Sequence, residues 1–228
     1  MLVFIASTVL FALLVPARPE PMNLLLTRAE PLFHAADLAL RPQSGALWVL
    51  LVIVWLTMVL HLVTPTDPER AAAPHERGVR HLFSAALICG ALWPWMTQLS
   101  VPLAGLLAVI MAVLALASFL YSPRTTRSIS LGFFTGWAIL TGLMLAGVTI
   151  TGLTGLPPAP VEALMLALVV VVAVLVQIKH GSGITFPLSV IIGLIGISGA
   201  ALGQSPILAT LAIGGIAALA LVLVLEAT

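Results

Sequence analysis

The sequence predicts an all-α integral membrane protein, and three observations lead to this prediction. Of the 228 residues, 61% are hydrophobic and 7% are charged, whereas a soluble globular domain carries about 25% charged residues. The apolar residues fall into eight segments, most of them close to the ~20 residues that a membrane-spanning helix needs. The alternation of polar and apolar residues that is typical of membrane β-strands does not occur. We therefore expect a single domain, residues 1–228, that forms a bundle of about eight transmembrane helices.

The eight apolar segments predict the helices in chain order. The first, Leu2–Pro16, is short, but it lacks the basic start and the small-residue cleavage site of a signal peptide, so we expect it to remain as a helix. The other segments are Ala46–Val63, His81–Thr97, Val101–Tyr121, Ser128–Ile150, Val161–Ile178, Ile184–Leu202 and Pro206–Leu225.

Basic residues predict the orientation of the bundle. The second, fourth and sixth connections contain Arg70, Arg77, Arg80, Arg124, Arg127 and Lys179. The connections after the third, fifth and seventh segments contain no Lys or Arg. Because basic loops stay in the cytoplasm, we expect these three loops and both termini on the cytoplasmic side. The first connection also carries arginines, but it is long enough for its charges to be translocated.

The first connection contains a pattern of its own, which predicts a short interfacial helix over Glu30–Leu40. Pro31 suits the first turn of a helix. The apolar side would carry Leu32, Phe33, Ala36 and Leu40, and the polar side His34, Asp37 and Arg41. An amphipathic helix of this kind lies in the membrane interface. Two interpretations stay open, a surface connector and a lid over a functional site.

The polar residues argue against several function classes. No Asp, Glu, Lys or Arg falls in the middle of a segment, which disfavours proton pumps, ion exchangers and voltage sensors. No nucleophile–base pair, metalloprotease helix or phosphate-binding loop is present, so no motif supports an enzyme. We interpret His61 as a structural or interfacial histidine, with a ligand or a proton relay as the alternative, and we expect no metal site at Cys89, the single cysteine. A net charge of +1 predicts no nucleic-acid partner.

Glycines recur at helical spacing in two segments. Gly132 and Gly136 are four residues apart, and the seventh segment carries Gly193, Gly196 and Gly199, followed by Gly203. Such faces let a neighbouring backbone approach closely. We interpret both as helix packing, with ligand approach or a dimer interface as the alternatives.

Two tryptophans are predicted to lie deep in the membrane. Trp137 follows the basic Arg127 by about ten residues, roughly 15 Å of helix, and Trp55 lies similarly deep in the second segment. Tryptophan normally collects at the membrane surfaces. Phe133, Trp137 and Thr141 follow at four-residue steps and share one side of a helix. The two indoles would either wall an apolar cavity or fill the core and the lipid-facing surface.

Three stretches of the chain resemble a known family. They are RPQSGALWVLLVIVW (Arg41–Trp55), LFSAALICGALWPWMTQLSVPL (Leu82–Leu103) and ISLGFFTGWAIL (Ile129–Leu140). Together they resemble the long bacterial branch of the tryptophan-rich sensory protein family (TspO/MBR), whose relatives include the mitochondrial translocator protein. The resemblance departs from the family pattern at Leu145, where the family usually has an Asn.

The resemblance implies a TspO-like core over residues 1–150, three additional helices over residues 151–228, and a bacterial inner membrane. It also implies that the protein binds porphyrins or other hydrophobic ligands. We therefore expect a non-enzymatic protein with an aromatic-lined intramembrane cavity, in which Trp55 and Trp137 are the walls and Phe133 and Thr141 extend the surface. No cofactor is required, and a tetrapyrrole or a lipid is the expected bound molecule.

Two other functions remain open. A structural or accessory subunit would pack against a larger membrane complex, or against a second copy of the chain, through the glycine face at Gly193–Gly203. A facilitator for uncharged solutes is a third possibility, although no motif indicates one. In every case the surrounding lipid is a partner of the protein.

Overall fold

A computed structural model of the chain describes residues 1–14, 40, 45–63, 74–123, 128–181, 183–202 and 205–227. These ranges are helical apart from short turns. The helices are α1 (Leu2–Leu14), α2 (Gly45–Val63), α3 (Pro74–Met96), α4 (Val101–Tyr121), α5 (Ile129–Thr154), α6 (Pro158–His180), α7 (Thr185–Ala201) and α8 (Pro206–Ala227). The predicted all-α fold is therefore confirmed for the described part of the chain.

Five of these helices, α2, α4, α5, α6 and α8, are long and apolar enough to cross a membrane. Helices α1 and α7 are apolar but shorter, with 13 and 17 residues. The predicted amphipathic helix lies outside the described residues except for Leu40, which is fully buried. A membrane-embedded helical protein agrees with this fold, and the count of eight spans stays a prediction.

Helix α3 differs from its predicted limits. It begins at Pro74 instead of His81. The prediction followed the apolar residues only, and the more polar residues before His81 are helical as well. Pro94 lies inside its last turn, and the helix ends at Met96. Beyond it the N–H of Gln98 bonds to the carbonyl of Trp95, three residues back. The tight turn is the expected result of a proline that cannot continue the helical hydrogen bonds.

Helix α5 is the centre of the bundle. It packs against α2, α4, α6 and α7, and every residue from Ser130 to Gly142 is buried. The Ser128 hydroxyl caps its first turn by accepting the N–H of Leu131. Gly155, with a φ of 70°, ends it in the left-handed conformation that glycine adopts without strain. A helix buried on all sides positions its side chains against several neighbours at once.

Small residues allow α5 to approach its neighbours closely. A Cβ added to Gly136 would lie 2.6 Å from Cβ of Ser189 on α7, and one added to Gly142 would lie 2.7 Å from the carbonyl oxygen of Ala108 on α4. The Ser189 hydroxyl also donates to the carbonyl of Phe133. The interpretation of Gly132 and Gly136 as packing positions is therefore confirmed, since a Cβ added to Gly132 would likewise collide with Thr185 of α7.

The glycine face of α7 is divided between two environments. Leu140 of α5 fills the space beside Gly193. Gly199 is exposed and has nothing within 4 Å of an added Cβ, and Gly203 lies outside the described residues. The inner part of this face is therefore used for packing within the chain.

Helix α1 docks onto the bundle through one buried face. Phe4, Thr8 and Phe11 are its buried residues, and they lie at the three- and four-residue steps of one helical side. The helix packs mainly against α3 and also contacts α2. The apolar core is continuous from Phe4 in α1 to Leu219 in α8.

Candidate functional site

Trp137 lies in the buried interior, where α5 faces α1. Only 2% of its surface is exposed. Its ring is 5.9 Å from the ring of Phe4 at an angle of 72° and 5.8 Å from the ring of Phe134 at 40°. Of the alternatives that the sequence leaves open for Trp137, a position in the core agrees with the structure, and a lipid-facing one does not.

Four rings from three helices form a group that we call the aromatic cluster: Phe4 of α1, Phe83 of α3, and Phe134 and Trp137 of α5. Phe134 is the hub, since its centroid lies 5.4 Å from Phe4 and 5.5 Å from Phe83, both edge to face. Such pairs contribute about 0.5–1.5 kcal/mol each beyond the area that they bury. The cluster presents ring faces and edges inside an apolar core.

Phe4 reaches the aromatic cluster because α3 has no side chain at Gly90. A Cβ added there would lie 2.9 Å from Cε2 of Phe4 and 3.2 Å from Sδ of Met111. The helix therefore has a recess into which the Phe4 ring fits. This contact fixes how deeply α1 is seated.

Trp55 is partly buried and contacts α1 through a hydrogen bond. Its indole N–H donates to the Thr8 hydroxyl at 2.9 Å, and the same hydroxyl lies 2.8 Å from the Phe4 carbonyl oxygen. Thr8 is one helical turn from Phe4. The two deep indoles are thus both in contact with one face of α1.

This arrangement corrects one expectation. We expected Trp55 and Trp137 to wall an open hollow, whereas α1 places Phe4 against Trp137 and Thr8 against Trp55. The physical reason is that α1, although short, is apolar and has a regular buried face. Phe4 and Thr8 of α1 therefore occupy the space beside the two indoles, where we expected an empty cavity.

The other two predicted site residues are also buried. Phe133 is 7% exposed and Thr141 is 3% exposed. Phe133 is tied to α7 through its carbonyl, which accepts the Ser189 hydroxyl at 2.8 Å. Thr141 lies one turn beyond Trp137 on α5. The described ring contacts bring Trp137 into the aromatic cluster, and Phe133 and Thr141 are not among its members.

Three members of the aromatic cluster were missed from the sequence: Phe4, Phe83 and Phe134. A signal existed for Phe134, because it precedes Trp137 by three residues and so shares its side of the helix. Phe4 and Phe83 come from distant segments, and their approach depends on how α1 and α3 pack.

A pocket of about 180 Å³ lies apart from the aromatic cluster, and its lining surface is mainly apolar. Its lining is Thr57, Leu60, His61, Ser128, Ile129 and Ser130. His61 Nδ1 is 3.1 Å from the Ser130 hydroxyl. The expected structural or interfacial role of His61 agrees with this position at the end of α2.

Few groups with metal-binding chemistry come together in the described ranges. No group of three or more His, Cys, Asp or Glu residues suited to a metal ion occurs there. Cys89 is a free cysteine in α3. Near the C-terminal ends of α6 and α8, the buried Gln177 amide donates a hydrogen bond to the carboxylate of Glu226, which connects these two helices.

Comparisons of the chain with protein-family models, with curated proteins and with solved structures find no match.

Proposed function

We propose that this protein binds a flat hydrophobic ligand, of which a tetrapyrrole is the leading candidate, at the aromatic cluster. The observation that supports this proposal is the meeting of Phe4, Phe83, Phe134 and Trp137 inside the apolar core. Ring faces and edges favour a planar conjugated molecule over an aliphatic one. The resemblance to the TspO/MBR family points to the same class of ligand.

Binding requires α1 to move, because Phe4 fills the space beside Trp137. Three polar contacts hold this helix near the site: Trp55 to Thr8, Trp95 to the Ser7 hydroxyl at 2.8 Å, and Ser7 to the Ala91 carbonyl at 2.6 Å. Each hydrogen bond contributes only about 0.5–1.5 kcal/mol. In the proposal α1 is the displaceable wall, and the ligand replaces the Phe4 ring.

Fluorescence titration tests this proposal. Protoporphyrin added to the purified full-length protein in detergent is expected to quench tryptophan emission saturably. Trp137→Phe should raise the half-saturation concentration by roughly three- to tenfold, which corresponds to the loss of one ring contact. Trp48→Phe is the matched control, because Trp48 is 37% exposed and lies outside the aromatic cluster.

A quenching curve that rises linearly without saturation contradicts ligand binding. Equal half-saturation for the wild type and Trp137→Phe places any bound porphyrin elsewhere. Phe4→Ala gives an independent check, since removal of the displaced ring should tighten binding while the other members of the aromatic cluster remain.

The alternative function, a structural or accessory subunit, has one specific observation in its favour. Gly199 on α7 and Gly214 on α8 both leave open space at their surface, so a second helix from another chain has room to approach. Purification in mild detergent tests this alternative. Co-elution of a stoichiometric partner or a dimer that Gly199→Leu disrupts would support it, and a monomer would contradict it.

We also propose the membrane arrangement that the sequence predicts, with eight spans, both termini in the cytoplasm and a location in the bacterial inner membrane. Arg77, Arg80 and Lys179 would then lie on the cytoplasmic side, as the positive-inside rule requires.

A further inference from the structure

The pocket lined by His61 and Ser130, at the junction of α2 and α5, contains a series of hydrogen bonds that the aromatic cluster does not explain. The N–H of Leu131 donates to Ser128 Oγ at 3.2 Å. Ser128 Oγ lies 3.1 Å from Ser130 Oγ, and Ser130 Oγ lies 3.1 Å from His61 Nδ1. These four groups form one continuous hydrogen-bonded chain.

Either serine can be the donor in the contact between Ser128 and Ser130, and the donor at the His61 contact depends on the histidine tautomer. We consider the direction in which Ser128 donates to Ser130 and Ser130 donates to His61 Nδ1, since it gives each serine proton an acceptor. A neutral imidazole that accepts at Nδ1 carries its proton on Nε2. In this direction His61 has an N–H donor on its far side.

The Nε2–H group of His61 is then available to a ligand. Within the described residues, the hydrogen bond found for His61 is the one at Nδ1. This single N–H donor is suited to an oxygen acceptor, and anionic oxygens form the strongest such hydrogen bonds. Phosphate is the common group that offers several of these oxygens together.

The position of the pocket indicates where the phosphate would come from. Its rim carries Leu60 and Ile129, which are 55% and 53% exposed, and His61 lies two residues from the end of α2. An apolar rim beside a polar floor at a helix end matches the boundary between acyl chains and headgroups. In sequence, Arg127 directly precedes Ser128 and Arg124 comes three residues earlier, and basic residues beside a membrane surface attract anionic lipids.

We propose that this pocket binds the phosphate of an anionic phospholipid headgroup. His61 Nε2 donates to a phosphate oxygen, Ser130 holds the imidazole in the required tautomer, and the acyl chains lie along Leu60 and Ile129. The site is separate from the aromatic cluster and does not depend on the proposed tetrapyrrole function.

A lipid titration of the full-length protein in dodecyl maltoside tests this site. Dihexanoyl phosphatidylglycerol is expected to raise the thermal unfolding midpoint saturably, whereas dihexanoyl phosphatidylcholine, which has no net charge, should raise it far less. Inorganic phosphate is the third arm. An equal saturable effect of inorganic phosphate would assign the site to a free anion and overturn the lipid proposal.

Two substitutions at one position separate binding from packing. His61→Gln keeps a side-chain N–H donor and should retain most of the binding, whereas His61→Phe fills the space without a donor and should weaken it about tenfold, the loss of one charge-assisted hydrogen bond. His180→Ala is the matched control, since His180 ends α6 and does not line the pocket.

Equal effects of phosphatidylglycerol on His61→Phe and on the wild type would overturn the proposal. So would equal stabilisation by the two lipids, or no saturable shift with either. If His61→Phe does not fold, Ser130→Ala replaces it. That variant removes the group that sets the tautomer and should also weaken binding, although it leaves the imidazole in place.

Discussion

At the residue scale, the contact between Trp55 and Thr8 connects the second helix to the first. The Thr8 hydroxyl is fully buried; it accepts the indole N–H and lies within hydrogen-bond distance of the Phe4 carbonyl. One hydroxyl thus satisfies a polar group on each of two helices. In an apolar environment a donor without an acceptor is costly, which makes this small side chain important for the seating of α1.

Thr8→Val is expected to lower stability by about 1–3 kcal/mol, because it keeps the side-chain shape but leaves the Trp55 N–H without its acceptor. The thermal unfolding midpoint of the purified protein measures the effect. Thr151→Val is the control, since within the described residues the Thr151 hydroxyl bonds to the Val148 carbonyl in its own helix. Equal midpoints for the two variants would show that the bond to Trp55 contributes nothing.

The residue scale also shows where sequence reasoning succeeds and fails. The distance of Trp137 from a basic turn predicts its depth in the membrane, but the sequence leaves open whether its ring faces the core or the lipid. Its contact with Phe4 is not predicted either, because Leu2–Leu14 is apolar apart from Ser7 and Thr8 and gives no clear sign of which side faces inward. The bond between His61 and Ser130 joins positions 69 residues apart in the chain, and no local pattern predicts such a pairing.

At the scale of elements, the position of α5 depends on small side chains at its contacts with α4 and α7. The sequence predicted this use of Gly136, because glycines at four-residue spacing form a smooth helical face. It did not predict which neighbouring helix each glycine contacts, because the arrangement of the helices in space depends on how all of them pack together. The first residues of α3, before His81, were missed because hydropathy identifies apolar segments and does not identify polar residues that are helical.

Gly142→Ala is expected to destabilise the protein by about 1–3 kcal/mol, because the new methyl group would meet the Ala108 backbone and α4 would have to shift. Gly152→Ala lies in the same helix but meets nothing within 4 Å. It should be neutral or slightly stabilising, since alanine favours helix more than glycine does. Thermal unfolding of the two variants side by side checks the prediction, and equal losses would contradict it.

At the scale of the whole molecule, the eight helices of the described ranges return the chain to the side on which α1 begins if each of them, and nothing else, crosses the membrane. Five are long and apolar enough by themselves. The shorter α1 and α7 and the partly polar α3 require support from their neighbours or a thinner stretch of bilayer. Composition predicts the class of protein at this scale, and the arrangement in the membrane needs a direct measurement.

Reporter fusions supply that measurement. Green fluorescent protein fused after the last residue is expected to fluoresce, because a cytoplasmic C-terminus lets it fold, and alkaline phosphatase at the same place should be inactive. Phosphatase fused at Gly155, in the turn between α5 and α6, should be active, since that turn is predicted on the opposite side. The reverse pattern, or equal activity at both positions, would contradict the predicted orientation.

The seating of α1 has a consequence for the order in which the protein is assembled. Helix α1 precedes α5 in the chain, so Phe4 reaches its ring partners only after Phe134 and Trp137 have been synthesised. Before that, α1 can already contact Trp95 of α3 through Phe11 and Trp55 of α2 through Thr8. Synthesis of α5 therefore completes the packing around Phe4 after α1 has met its other neighbours.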